Sequence, residues 1–298
     1  MDGTLWFDNL PVKWEDGLPF GNGRLAAMLW GDRTKDIVSL NHEDLWTGDF
    51  KERECEVGSH FLPYVRDYLK RGENFKATAL AAVAFGGNGG ISPLPRRMDS
   101  FQPACDITLF HGRQELVQRE LSLDEGIVSS RKDHLFVSAF CHCEEDVFAA
   151  RWISSKPFDA LLTVTRAAQD GVYRRYGVQP EKGLVTLSVD AGAGVSYSVV
   201  CKVLTDGVLT AVADGFSISQ STYITVTADI GSELRGIETE LASHDLSKDY
   251  KLAAESQVVA FFGIMRRWSF DVEDFRSAEL SKIPINKRQE LFREGIDD

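Results

Sequence analysis

Cysteine is scarce: five residues in 298, at 55, 105, 141, 143 and 201. An odd count without framework spacing excludes a disulfide-stapled scaffold and leaves free thiols, so the expected location is cytoplasmic. Positive charge is also short, with 33 Lys and Arg against 45 Asp and Glu, a net charge of −12. A chain so acidic lacks the electrostatic footprint for nucleic acid or anionic lipid, and neither is expected as a partner. A neutral ligand such as a sugar fits the balance better. Long apolar runs are missing too: QVVAFFGIM, residues 257–265, is the longest candidate and falls far short of the roughly 20 residues that span a bilayer. The opening MDGTLWFDNLP has neither the basic start nor the apolar core of a signal peptide. Internal repeats and low-complexity tracts are absent as well.

No metal or other cofactor is expected. Cys141-His142-Cys143 is the one tempting trio, but on a strand the two thiols would point to one face and the imidazole to the other. Buried apolar thiols are the plainer reading. Glu43, Asp44 and Asp49 lack the spacing of a calcium loop.

GLPFGNGRLAAMLWG, residues 17–31, fits G-x-G-x-x-A at Gly21, Gly23 and Ala26, with Glu43 about twenty residues on. A dinucleotide fold needs an apolar strand before that turn and a full helix after it. The preceding KWEDGLPF is broken by Gly17 and Pro19, and Gly31-Asp32 stops the chain soon after Ala26. GNG therefore reads as a tight turn feeding a buried strand, with its glycines and Asn22 serving positive φ.

From about 101 to 231 the chain is a series of β-type runs: FVSAF, LLTVTRA, GLVTLSVD, VSYSVVCKVL, GFSISQ and TYITVTADI. Turn signals at Gln169-Asp170-Gly171, Glu181-Lys182-Gly183, Ala191-Gly192 and Asp214-Gly215 separate them. This pattern predicts a mainly β protein built as a large antiparallel sandwich. His60 to Ala84 carries apolar residues at helical spacing and predicts a helical insertion. After Gly231 the composition changes, and a long helix is expected from about 245 to 268, capped by Ser243, Asp245 or Ser247. Val258, Val259, Phe261, Phe262, Ile264, Met265 and Trp268 are more apolar residues than one stripe can hold. Such a helix calls for burial from two sides.

The ordered set of motifs resembles the N-terminal region of glycoside hydrolase family 95. Trp14 through Met28 is similar to that family's W-x-x-A-L-P-x-G-N-G-R-L-G-A-M stretch, and Leu40 through Gly48 to L-N-E-x-x-L-W-[ST]-G. Phe101 through Asp106 is similar to [YF]-Q-P-x-x-D, and Arg119 through Gly126 to R-x-L-x-L-x-x-[GA]. Arg267 through Asp271 resembles the R-x-S-L-D end of a linker helix, and Ile283 through Leu291 the exit L-P-T-D-x-R-L. His42, Ala104-Cys105 and Gln257 depart from the family pattern, which has Glu, Leu-Gly and often His at those places.

The resemblance implies a super-sandwich domain over 1–233, with the insertion near 60–84, and a helical linker over 234–298 leading to an (α/α)6 catalytic barrel. It implies an inverting α-L-fucosidase-like parent acting on α-L-fucosides or related α-L-galactosides. The catalytic carboxylates belong to that barrel, so no catalytic residue is assigned here and the chain alone is expected to be inactive. The partners implied are the barrel and the parent's oligosaccharide substrate, with self-association through 255–268 when the barrel is lacking. Candidate substrate-binding or barrel-facing residues are Asn22, Arg24, Asn41, Glu43 and Trp46. Trp46 could stack on a sugar or wedge against the barrel; the plainer alternative is a surface loop anchored by one buried Trp. A stand-alone carbohydrate-binding sandwich and a purely structural assembly domain are the competing readings.

Overall fold

Alternation of apolar and polar residues puts one face of each strand inside, and the core follows from it. The computed structural model describes residues 3–48, 58–85, 99–236, 250–268 and 277–295. Two compact units are present, one of residues 1–45 with 102–298 and one of 46–101.

Among the described residues the first unit holds fourteen strands: β1 (Thr4–Phe7), β2 (Leu18–Gly21), β3 (Leu25–Gly31), β4 (Lys35–His42), β5 (Cys105–Phe110), β6 (Leu116–Ser122) and β7 (Ile127–Lys132). They continue with β8 (Leu135–Cys141), β9 (Phe148–Thr165), β10 (Tyr173–Gln179), β11 (Leu184–Asp190), β12 (Tyr197–Thr205), β13 (Val208–Val212) and β14 (Gly215–Ser232). Every pairing is antiparallel, and one path runs β1-β6-β7-β8-β9-β14-β12-β11-β10. A second layer, β2-β3-β4-β5, joins through the far half of β9, where Asp106–Phe110 pairs with Leu161–Thr165. The two 18-residue strands thus serve both layers: β9 leaves β8 for β5 midway, and β14 leaves β13 for β12. A register shift between Ile218 and Tyr223, with Gln220 at φ 54°, marks the crossing on β14. GFSISQ and TYITVTADI, which read as two strands, are therefore one strand bent at a bulge.

The sandwich expected from the sequence is what forms. Leu25, Ala27 and Leu29 of β3 and Val38 and Leu40 of β4 join Trp152, Phe148, Phe216 and Ile224 in one buried cluster. Among the described residues three helices follow the strands: α3 (Tyr250–Met265), α4 (Ser277–Leu280) and α5 (Ile285–Arg293), once α1 (Leu62–Lys70) and α2 (Asn74–Ala84) have been counted in the other unit. The expected start of α3 at 245 and its proposed caps lie outside the described residues. The end of the chain reaches the β1 region, where Trp6 Nε1 donates to the carbonyl of Ser281, just after α4, at 3.0 Å, and Asn286 Nδ2 of α5 donates to Asp8, just after β1, at 2.8 Å.

Residues 46–101 form the second unit. The helical period over His60–Ala84 resolves into α1 and α2, broken at Gly72, whose φ is 74°. Val65, Ala77 and Ala84 are its buried apolar residues.

Three local expectations change. β2 does precede GNG, but it is a four-residue strand that pairs only with β3, an edge position where Pro19 is tolerated. Gly23 has φ 97°, whereas Gly21 and Asn22 do not have positive φ. Gly21 is required for space instead, since a Cβ there would sit 2.6 Å from the Leu25 carbonyl oxygen. Cys141 ends β8, so Cys143 does not share a strand face with it; His142 turns the chain, its Nδ1 accepting the Glu145 amide at 3.1 Å.

Candidate functional site

Four connections of the first unit converge on one polar network: the β2–β3 turn, the residues after β4, the β8–β9 loop and the residues after β14. Asn22 closes the turn, its Oδ1 accepting the Arg24 amide at 3.0 Å and the Leu25 amide at 2.8 Å. Its Nδ2 crosses to the β8–β9 loop, donating to the His142 carbonyl at 2.9 Å and Asp146 Oδ1 at 2.8 Å. Asp146 is held at φ 55°, a conformation Asp adopts more readily than most residues. Arg24 bridges Asp146 at 2.6 Å and Glu43 at 3.1 Å. Arg235, after β14, bridges Glu43 at 2.6 Å and Asp44 at 2.8 Å. Ser232 adds a 2.7 Å hydrogen bond to Asp44.

Burial alone would raise the Asp44 pKa, but Ser232 and Arg235 more than offset it and hold the carboxyl below its usual value. A general acid needs the opposite, a pKa raised toward neutrality. Burial lowers the pKa of His42, and its Nδ1 accepts the Asp44 amide at 3.2 Å. His42 near Asp44 is therefore a neutral acceptor, and their 3.8 Å approach is not an ion pair. Such a network can fix four loops and present a charged surface.

Asn22, Arg24 and Glu43 thus meet in one network. Asn41 stands apart on β4, paired with Ala26, its Oδ1 on the His42 amide at 2.8 Å. Trp46 belongs to the other unit, where it is half-buried and stacks on Phe101 with ring centroids 3.7 Å apart. Asp146, Arg235 and Ser232 were missed by sequence reasoning, because each lies more than a hundred residues from its partner in the chain. Among the described residues no three His, Cys, Asp or Glu side chains are placed to hold a metal.

α3 docks beside this network on the outer face of β8 and β9. Phe140, Ala149, Tyr250 and Ala253 form a small buried cluster separate from the main core. Tyr250 Oη contacts Ser138 Oγ and its carbonyl, both at 2.8 Å. Gln257 Oε1 accepts the Cys143 amide at 2.9 Å, so α3 grips the same β8–β9 loop that carries Asp146. Phe261 lies over Gly126, whose φ of 66° and missing side chain leave room for the ring.

The first unit is thus a large antiparallel sandwich with an ion-paired loop cluster and a helix docked on its flank. Residues 5–236 match the family model described as "Glycosyl hydrolase family 65, N-terminal domain", and the chain belongs to that family. It is 46% identical over 82 residues to alpha-L-fucosidase 2 of Arabidopsis thaliana, covering 28% of this chain and 10% of that protein. It is 26% identical over 173 residues to probable alpha-fucosidase A of Aspergillus niger, covering 51% of this chain and 20% of that one. The chain therefore matches a small part of the length of either relative. Both names accord with the family 95 resemblance of the motifs. Among solved structures, a putative kojibiose phosphorylase from human microbiome superposes with a TM-score of 0.42 at 8% identity, over 88% of this chain and 35% of that one.

Proposed function

We propose that this chain is the non-catalytic sandwich of a glycoside hydrolase acting on α-L-fucosides or related α-L-galactosides, and that α3 carries its contact with the catalytic domain. The observation that carries this reading is the division of α3 into two faces. Tyr250, Ala253 and Gln257 are buried against the sheet, while Leu252, Val259 and Phe262 on the opposite side are exposed, Val259 by 74%. A side chain of this kind gains about 1.5–3 kcal/mol on burial, so an apolar outer face is kept at a cost unless something covers it. The Arg24–Glu43–Arg235 network adjoins α3 through the β8–β9 loop and gives such an interface a polar rim.

Two results are expected. The chain alone self-associates or binds a hydrophobic dye through α3, and joint replacement Val259→Lys with Phe262→Glu makes it monomeric. Because both positions face solvent, stability should move by no more than about 0.5 kcal/mol. A double variant that unfolds would mean that the sheet already buries this face. The chain alone should also leave an aryl α-L-fucoside intact. Turnover abolished by Glu43→Gln or Asp44→Asn would place catalysis in the loop cluster and sink the reading.

A further inference from the structure

We infer that the outer face of β10–β12 is a saccharide-binding site for one or two rings of a neutral oligosaccharide, a surface distinct from the one α3 presents. In the strand register Tyr173 stands opposite Asp190, Arg175 opposite Ser188, and Ser188 opposite Ser198. Directly paired residues share a face, so these five side chains lie together. Val185, Leu187, Val189 and Tyr197 alternate with them and point into the core.

Strands stand about 4.8 Å apart and alternate residues about 7 Å apart. The patch therefore measures roughly 10 by 7 Å, enough for one or two pyranose rings. The groove at this place has a volume of about 660 Å³, within the roughly 300–1,000 Å³ typical of small-ligand sites.

The side chains are available. Tyr173 is 71% exposed and lies in no aromatic pair of the described residues. Arg175 is exposed and is in no ion pair among the described residues, unlike Arg24 and Arg235. Asp190 spends one oxygen on the Gly192 amide at 3.1 Å and keeps the other. Ser188 and Ser198 bond each other at 3.0 Å and retain further capacity as acceptors.

The chemistry selects the ligand. A phenol ring offers an apolar platform to the C–H face of a sugar. A guanidinium and a carboxylate supply paired donors and acceptors for neighbouring hydroxyls, which are both donor and acceptor themselves. Asp190 beside Arg175 disfavours a phosphate or sulfate, and a chain of net charge −12 adds no long-range attraction for one. β10 is also an edge strand, and Arg174 and Arg175 on it guard against pairing with another chain.

The test is a titration of the full 298-residue chain with cellotetraose, maltotetraose and methyl α-L-fucoside, and with a sulfated heparin tetrasaccharide as the anionic probe, read by amide chemical shifts. At least one neutral sugar should give saturable shifts confined to β10–β12. Tyr173→Ala and Arg175→Gln should each weaken that binding about tenfold or more, with thermal melting unchanged because both sites are exposed. Binding of the sulfated probe alone, shifts elsewhere, or shifts indifferent to both substitutions would overturn the inference. None of these outcomes involves α3 or the fucoside assay, so the two proposals stand or fall separately.

Discussion

Lys132→Met is expected to lower the stability of the sandwich by about 3–5 kcal/mol, the cost of leaving a buried charge without its partner. Lys132 is 4% exposed at the end of β7, and its Nζ donates to Asp36 Oδ1 across the core at 2.6 Å and to the Asp32 carbonyl at 3.1 Å. His111 completes the group: its Nδ1 lies 2.8 Å from the Gly112 carbonyl oxygen, and its Nε2 lies 2.9 Å from Lys132 Nζ and 3.5 Å from Asp36 Oδ2. Trp152 Nε1 donates to the other Asp36 oxygen at 3.0 Å. Methionine would fill the space of the lysine chain but strand the carboxylate. Adding Asp36→Asn keeps an acceptor for Trp152 and removes the charge, so the double variant should recover at least half of the loss. A single variant that melts within about 3 °C of the parent would show that water reaches Asp36, since the expected loss corresponds to about 6–20 °C.

The same pair predicts the acid limit. Burial opposes ionisation of Asp36, but the charge of Lys132 and the imidazole of His111 outweigh it and bring its pKa down to about 2 from an ordinary 3.8. A carboxyl whose folded pKa is depressed stabilises the fold above its unfolded value. That contribution is present above pH 4 and is lost as the pH falls from about 4 toward 2. Lys132→Met should remove this step from the pH–stability profile.

Tyr250→Ala is expected to release α3 while the sandwich stays folded. Truncating a buried aromatic costs about 3–5 kcal/mol, and here the loss falls on a cluster of four buried residues separate from the main core. The ring lies 5.3 Å from Phe140 and 5.9 Å from the Arg151 guanidinium, and its hydroxyl holds Ser138. Amide exchange within 250–265 should rise by two orders of magnitude or more, with β8 and β9 still protected and limited proteolysis cutting inside α3. Simultaneous loss of protection across the strands would mean that helix and sheet unfold as one unit.

The strands were legible where alternation was strict. Leu25, Ala27 and Leu29 announce β3, and the glycines at 171, 183 and 192 mark turns whose positive φ they supply. Asp214-Gly215 also marks a turn, the tight hairpin in which Val212 of β13 pairs with Gly215 of β14, and Gly215 is further required because a side chain there would overlap the Leu162 carbonyl oxygen. The first half of β9, FAARWISS, hid in a sequence rich in alanine and serine. Lys132 could have been suspected, since it falls on the same strand parity as buried Val128 and Ser130. Its partner could not, because Asp36 lies on another layer and only the folded chain brings it near. The network around Arg24 is hidden for the same reason: its members are spread over four connections, and a lone Glu or Asp in a turn carries no sign of its mate.

The two strands shared by both layers also set the order in which the chain can be completed as it is made. β2, β3 and β4 end at His42, but the sheet position that seats β5 beside them is the far half of β9, closing at Thr165. At synthesis rates of about 5–20 residues per second, that interval of roughly 120 residues lasts from several seconds to half a minute. β9 then has an open edge until β14 emerges some fifty residues later, roughly another 3–10 s on the same scale. Until Gly215–Ser232 arrives, Phe20, Leu25 and Leu40 have no complete core to enter. Nascent chains halted before that strand would therefore present sticky unpaired edges to chaperones, and the domain is committed to its native state only as its last long strand leaves the ribosome.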